Sequence, residues 1–410
     1  MGTEDTRARS KSWRQRGLAL IPWAVGLPLA AGLGLYGYVL GTMTPLHPNP
    51  QTIESVANAA PATKWGDAVQ QSRQNVRAAL ADHNLPGLSV AVGAGREIVW
   101  AEGFGWADIE NRVPVTPDTR FRIGTASTAL TSAAVGLLLE KNRLELDDPI
   151  RKYVPDFPEK RWPVTLRQLM GHTAGIGTDG GDEGPLFSVR CERPVDALPY
   201  FKDRALLFEP GTRYRYSNYG WILMSAAIES AAHEPFVRFM DSRIFKPLGM
   251  DHTEAESGAE SMPHRATSYF PRFAADPRYG PDVMRPLDYS CYAGSSVFLS
   301  TPSDLVRFAL AIDQGQLLRP ATVQLLRTPQ RLPSGQETGY GLGWDLETAA
   351  VAGKQTSIVG HDGESLGGMV ASFWTFPDHG VVVSVTSNIS YADTFGIAVK
   401  IAQAFAQQPD

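Results

Sequence analysis

Cysteine is scarce: only Cys191 and Cys291 occur in 410 residues. Two cysteines exclude a disulfide framework and a cysteine-based zinc site. They leave open one bridge in an oxidising compartment or two separate thiols. An excess of positive charge is lacking too. Lys and Arg number 38 against 43 Asp and Glu, a formal charge of −5, which gives no electrostatic footprint for nucleic acid. The eight histidines never fall at metal-ligand spacing. There is no Walker or dinucleotide fingerprint, and Gly103-Phe-Gly is too short and sits in a predicted hairpin. Neither metal nor cofactor is expected. Repeats and low-complexity tracts are missing from the main body of the chain. What remains is 43% hydrophobic and 20% charged residues, an ordinary globular balance in a chain long enough to bury a core without staples.

Charge is also missing locally, from Gly17 to Leu46, after a first segment carrying Arg7, Arg9, Lys11, Arg14 and Arg16. Leu18 to Leu40 is apolar, and as a helix it measures about 34 Å, enough to cross a bilayer. Cations on one flank only would leave residues 1–16 in the cytoplasm and put the rest outside, in the periplasm of a bacterium. Pro22, Pro28 and several glycines weaken that helix, so residues 17–41 are expected as a transmembrane anchor or a signal cleaved near Ala57–Ala60. Residues 42–66, rich in Pro, Asn, Ala and Thr, read as a flexible linker, and 67–410 as the folded domain.

Within that domain, Gly66 to His83 reads as a helix. Residues 88–92 and 97–101 flank an Ala94-Gly95-Arg96 turn and predict a hairpin. Thr125 to Lys141 is apolar on nearly every side, the mark of a buried helix. Further helices are expected over Trp221–Ala232 and Phe236–Phe245. Another runs to about Gln314 behind Thr301-Pro302-Ser303-Asp304, which supplies a cap, a first-position proline and an acidic first turn. Met369–Phe376 and Val381–Ser387 flank the turn Pro377-Asp378-His379-Gly380 and form a second hairpin, followed by a helix over about 394–407. Strands at both chain ends and helices between them predict an α+β fold, with one antiparallel sheet built from both ends and a helical region inserted.

Three islands carry chemistry together: Phe121-Arg-Ile-Gly-Thr-Ala-Ser-Thr128, Tyr214-Arg-Tyr-Ser-Asn218 and Gly360-His-Asp-Gly363. Around them lie Gly103-Phe-Gly-Trp-Ala-Asp108, His172-Thr-Ala-Gly-Ile176, Ala293-Gly-Ser-Ser-Val297 and Tyr340-Gly-Leu-Gly-Trp344. From about Pro86 onward, in order and spacing, these islands resemble the serine β-lactamase and penicillin-binding-protein superfamily. The likeness is to its class C and esterase side, the branch of the mitochondrial serine β-lactamase-like proteins and their bacterial relatives. The resemblance implies a β-lactamase/transpeptidase-like fold and acyl transfer on an amide or ester held in a cleft, from a small molecule or a peptide. It also implies a Ser-x-x-Lys nucleophile motif at the start of the buried helix, a Tyr-x-Asn motif and a Lys-x-Gly or His-x-Gly strand.

By position, Thr125 stands for the nucleophile, Tyr216 for the acid/base, and His361 for a compensating base or oxyanion neighbour. Asn218, Gly363 and Glu364 stand for substrate-binding groups. Thr128 occupies the lysine position. The motif thus reads Thr125-Ala-Ser-Thr128, and the cation that would favour deprotonating Thr125 and Tyr216 is gone; a tyrosine without a cation, with its pKa near 10, is a poor base at pH 7. The rival reading is a pseudoenzyme, a binding or scaffolding module on the same fold. In it Thr125 is a helix N-cap, Thr128 a packed residue, Tyr216 and Asn218 a hydrogen-bonded relic, and His361 a strand-end histidine. His172 reads as a structural histidine near a helix end. Oligomeric state is left open.

Overall fold

The computed structural model describes residue 29 and residues 31–178, 184–256, 264–365 and 367–407; the side chains of 184, 185 and 365 fall outside that description. The chain forms two compact units, Met1–Pro45 and Leu46–Asp410. In the first, residues 31–41 are helical and expose Leu33, Leu35, Tyr38 and Leu40. Among the described residues no helix is long and apolar enough to cross a membrane. The basic segment 1–16 and positions 18–28 and 30 of the apolar span lie outside the described residues.

The second unit is α+β. Its main sheet uses β1 (Ser55–Ala57), β2 (Gly87–Ala94), β3 (Glu97–Asp108), β4 (Asp345–Val351), β5 (Lys354–Ser365), β6 (Met369–Phe376) and β7 (Val381–Ser387). The order is β1-β3-β2-β7-β6-β5-β4, every neighbour antiparallel, so the two ends of the chain meet where β2 pairs β7. Both predicted hairpins form, with the 94–97 and 377–380 turns where expected. β6 and β7 are buried along their whole length. A central strand covered on both faces can be apolar throughout, as Val381 to Val383 shows.

One face is covered by α1 (Gly66–Asp82) and, packed beside it, the C-terminal helix Thr394–Ala406, through Val69, Val76, Leu80, Ile397 and Ile401 against Val383, Val385 and Trp374. The other face carries the inserted helical region. At its centre is α2 (Ser127–Glu140), with α3 (Leu166–Met170), α4 (Asn218–Ala232) and α5 (Pro302–Asp313) around it. α2 is apolar on all sides because it is buried on all sides; only Leu137, Leu139 and Glu140 are not fully covered. At α5, Thr301 caps by accepting from Asp304 N–H and Pro302 takes the first position. The helix expected over Phe236–Phe245 is α-helical to Met240 and then widens into a π-turn, Asp241–Phe245.

The stretch 42–66 is not a free linker once it reaches Leu46. Leu46 N–H donates to Asn84 Oδ1 at 2.7 Å, and buried His47 hydrogen-bonds the Pro86 carbonyl at 3.2 Å. Ile53 is buried, and β1 closes the edge of β3. An edge strand offers a row of unpaired backbone groups, and a three-residue strand satisfies them without any hydrophobic period that a sequence would show. Cys191 and Cys291 are bridged, tying the segment before Pro194–Tyr200 to the turn at Ser290–Tyr292.

Candidate active site

The site begins where the chain turns into α2. Gly124 has φ +51 and Gly124–Ala126 forms a 3₁₀ turn that runs directly into α2 at Ser127. A left-handed backbone there suits glycine and sharpens the turn that carries Thr125. Thr125 therefore precedes the α-helix by two residues instead of opening it. Its hydroxyl caps nothing; it donates to the carbonyl oxygen of Asp362, on β5, at 3.2 Å.

β5 can come this close because of Gly363. A Cβ there would sit 1.9 Å from the Ile123 carbonyl oxygen and 2.6 Å from Ala126 N. Pairing between β4 and β5 stops at Asp345–Gly360, whereas β5 continues along β6 to Ser365–Met369. Among the described residues, 361–365 thus have no strand partner on the side where Thr125 sits.

His361, 2% exposed, fills the space beside them. Its Nδ1 hydrogen-bonds the Asp362 carbonyl. A carbonyl only accepts, so Nδ1 carries a proton. Nε2 and the Tyr340 hydroxyl are hydrogen-bonded at 2.9 Å. Asp345 Oδ2 lies 3.6 Å from Nδ1. Asp362 O therefore accepts from both Thr125 and His361. The Asp362 carboxyl is raised by burial, with Ser372 and Trp374 hydrogen bonds opposing the rise.

Thr128 is fully buried. Its hydroxyl donates back along the helix to the Thr125 carbonyl at 2.8 Å and is also a hydrogen-bond neighbour of the Tyr340 phenol. Burial pushes that phenol well above its ordinary range, with Tyr216 and Asp345 adding to the shift. The lysine position thus holds two neutral hydroxyl groups. No Lys or Arg hydrogen-bonds Thr125, Thr128, Tyr340 or His361 among the described residues.

Tyr216 reaches the same point from the start of α4, where Ser217 is the N-cap and Asn218 the first, buried, helical residue. The Tyr216 ring stands edge-on to Tyr340 at 6.3 Å and stacks on His172 at 4.0 Å. Tyr214, at the surface end of this group, lies 6.2 Å from Tyr340 and has its phenol raised by burial and by Asp345. Thr125, Tyr216, His361, Gly363 and Thr128 are thus brought together, with Asn218 next to Tyr216. Glu364 follows Gly363 on β5, and its exposed carboxylate accepts from Tyr391 N–H at 3.3 Å. Sequence reasoning gave no role to Tyr340, although its island was visible. The Asp362 carbonyl, a backbone group, had no signal to find.

This constellation sits on a fold whose family is known. The β-lactamase family model matches residues 72–408, and the chain belongs to that family. Over 85% of its length it is 26% identical to the mitochondrial serine β-lactamase-like protein LACTB of Mus musculus, covering 82% of that protein. Penicillin-binding protein 4* of Bacillus subtilis (strain 168) is 27% identical over 68% of this chain and 63% of its own. Among solved structures, the octameric penicillin-binding protein homologue from Pyrococcus abyssi superposes with a TM-score of 0.69 at 24% identity, covering 81% of this chain and 76% of that one.

Proposed function

We propose that the chain is a β-lactamase-family acyl-transfer hydrolase of low intrinsic reactivity, acting on an amide or ester of a small molecule or peptide. The observation that carries this reading is that Thr125 and His361 meet at the Asp362 carbonyl on β5, with Tyr216 approaching them across the Tyr340 ring. An extended substrate laid along residues 361–365 brings a carbonyl carbon to the Thr125 hydroxyl. Thr125 Oγ1 then bonds to that carbon, and the leaving nitrogen or oxygen departs with a proton. A neutral phenol can serve only in concert: Tyr216 takes the Thr125 proton while giving its own to the leaving group. Water reverses the path and frees the acid. Asn218 orients the substrate amide, and His361, locked by Tyr340, lines the strand. Without a cation to lower either pKa, this route lacks part of the 10²–10⁴-fold that general acid–base catalysis typically supplies.

The second reading, a binding module without turnover, is favoured by one observation. The Thr125 proton is held by the Asp362 carbonyl, an acceptor that cannot remove it. A fluorophosphonate or penicillin probe followed by intact mass separates the two. An adduct that disappears in Thr125→Ala supports the hydrolase; no adduct from folded protein supports the module.

For location, we infer that residues 17–41 anchor the domain, or export it as a signal, with 1–16 cytoplasmic and 67–410 outside. The charge-free span after five cations supports this. So does the Cys191–Cys291 bridge, since disulfides persist in oxidising compartments. A tag after Asp410 that proves cytoplasmic would overturn it.

A further inference from the structure

The geometry points to His172 as the positioning residue of Tyr216, an assignment that deepens the proposed function and rests on Tyr216 being its acid/base. His172 follows α3 with φ +57, a left-handed conformation uncommon outside glycine. From that turn it reaches Tyr216 in three ways. Its carbonyl accepts Arg215 N–H at 2.8 Å, and its Nδ1 accepts Ser217 N–H at 3.1 Å. Its ring lies on the Tyr216 ring, centroids 4.0 Å apart and planes 30° from parallel. The residues before, at and after position 216 are all held by one side chain and its own carbonyl. Since Ser217 is also the N-cap of α4, the same bond fixes where that helix starts.

Behind it, the His172 ring rests against Tyr340 at 4.7 Å and Trp221 at 6.5 Å, and it is 2% exposed. It therefore has no room to turn away. A backbone N–H only donates, so Nδ1 must be bare and Nε2 carries the single ring proton. The ionisable groups that face it are Tyr214 and Tyr216 from the segment before α4, Tyr340 from the loop before β4, and His361 from β5. None is a carboxylate, so nothing there compensates a second proton. Such a proton would also set two donors against each other at Ser217. The neutral ring is the form that grips. A phenol that takes one proton and gives another depends on its direction, and His172 supplies that direction.

The test uses the full chain carrying Thr125→Ser and Thr128→Lys, acylated by a penicillin probe and followed by intact mass across probe concentrations. His172→Asn keeps an acceptor for Ser217 N–H and accepts the left-handed turn. His172→Phe keeps the ring and loses the acceptor. The asparagine variant is expected to acylate near its parent's rate. The phenylalanine variant is expected to lose about tenfold or more of the maximal rate, with the half-saturating probe concentration unchanged. That loss should vanish when Tyr216 is already Phe, because the two residues act as one. An equal loss in the Tyr216→Phe background overturns the assignment. A second measurement needs no activity: backbone amide exchange across residues 213–220 should speed up in His172→Phe and not in His172→Asn. If Tyr216→Phe is silent in acylation, the acid/base reading fails while the exchange result still decides the grip. Unchanged exchange in His172→Phe contradicts it.

Discussion

The hydroxyl of Thr125 donates to the carbonyl oxygen of Asp362 at 3.2 Å, and the ring Nδ1 of His361 donates to the same oxygen. That carbonyl is an acceptor that cannot remove the Thr125 proton, and the carboxylate oxygen Asp345 Oδ2 lies 3.6 Å from His361 Nδ1. Thr125, the proposed nucleophile, thus sits at the edge of β5 with its proton on an acceptor that cannot take it. Beside it, the hydroxyl groups of Thr128 and Tyr340 stand where a lysine would bring a charge. The consequences can be measured one contact at a time.

Gly363→Ala should disturb the site and the fold together. The new methyl meets backbone, the Ile123 carbonyl and Ala126 N, and backbone cannot yield as a flexible side chain can. Overpacking of this kind costs about 1–3 kcal/mol, occasionally more. Urea unfolding should show the loss, and binding of a penicillin probe should weaken even where the protein remains folded. A variant as stable as its parent would mean that β5 does not press on the Thr125 turn.

Tyr340→Phe removes the hydroxyl partner of His361 Nε2 inside a buried pair. A buried polar group left without its partner costs about 1–3 kcal/mol. Denaturant midpoints should fall accordingly with an unchanged slope. A neutral result would place the Tyr340 hydroxyl elsewhere.

The pH dependence of stability should carry the mark of His172. Burial, with His361 adding to it, holds its pKa well below 6.5. Below pH 6.5 the unfolded chain therefore binds a proton that the folded one refuses. Stability from this group is complete above that pH and falls as pH drops, by at most about 1.4 kcal/mol per unit. Asp362, raised above 3.8 by burial, works in the opposite sense at lower pH, where the folded state holds the extra proton. His172→Asn should flatten the fall below pH 6.5 in urea titrations. An identical profile in the variant would assign the acid sensitivity to other groups.

Reduction tests the one covalent tie. Cys191 and Cys291 are 100 residues apart in sequence, and removing a native bridge of this kind typically costs about 2–5 kcal/mol. Replacing both by serine should lower the melting temperature measurably. Equal stability with and without reductant would show that packing alone holds the helical region.

Much of this was legible in the sequence because its signals are local. The two hairpins announced themselves by short, largely apolar runs around Gly-containing turns, and α2 by being apolar on nearly every side, which burial explains. One antiparallel sheet from both ends of the chain followed from strands clustering there, but which strands meet, β2 with β7 across nearly 300 residues, did not. Short pieces without a period stayed hidden. β1 has three residues and takes its stability from the edge of β3, and the π-turn after Met240 has no sequence mark. Helix starts shifted for the same reason: Thr125 lies in a 3₁₀ turn whose need was set by Gly363, 238 residues away. In the site, side-chain motifs could be read, whereas the Asp362 carbonyl and the grip of His172 depend on backbone geometry that no residue type encodes.

The most direct test of the account is the acylation rate of two proteins by one penicillin probe, read by intact mass. The unmodified chain should acylate slowly, because Thr125 and Thr128 offer hydroxyls without a lysine beside them. Thr125→Ser with Thr128→Lys restores a cation beside Tyr216 and Tyr340, and the rate should rise by about 10²-fold or more. Rapid acylation of the unmodified chain that Thr125→Ala abolishes would contradict the account, because it would show that this site activates Thr125 without any lysine.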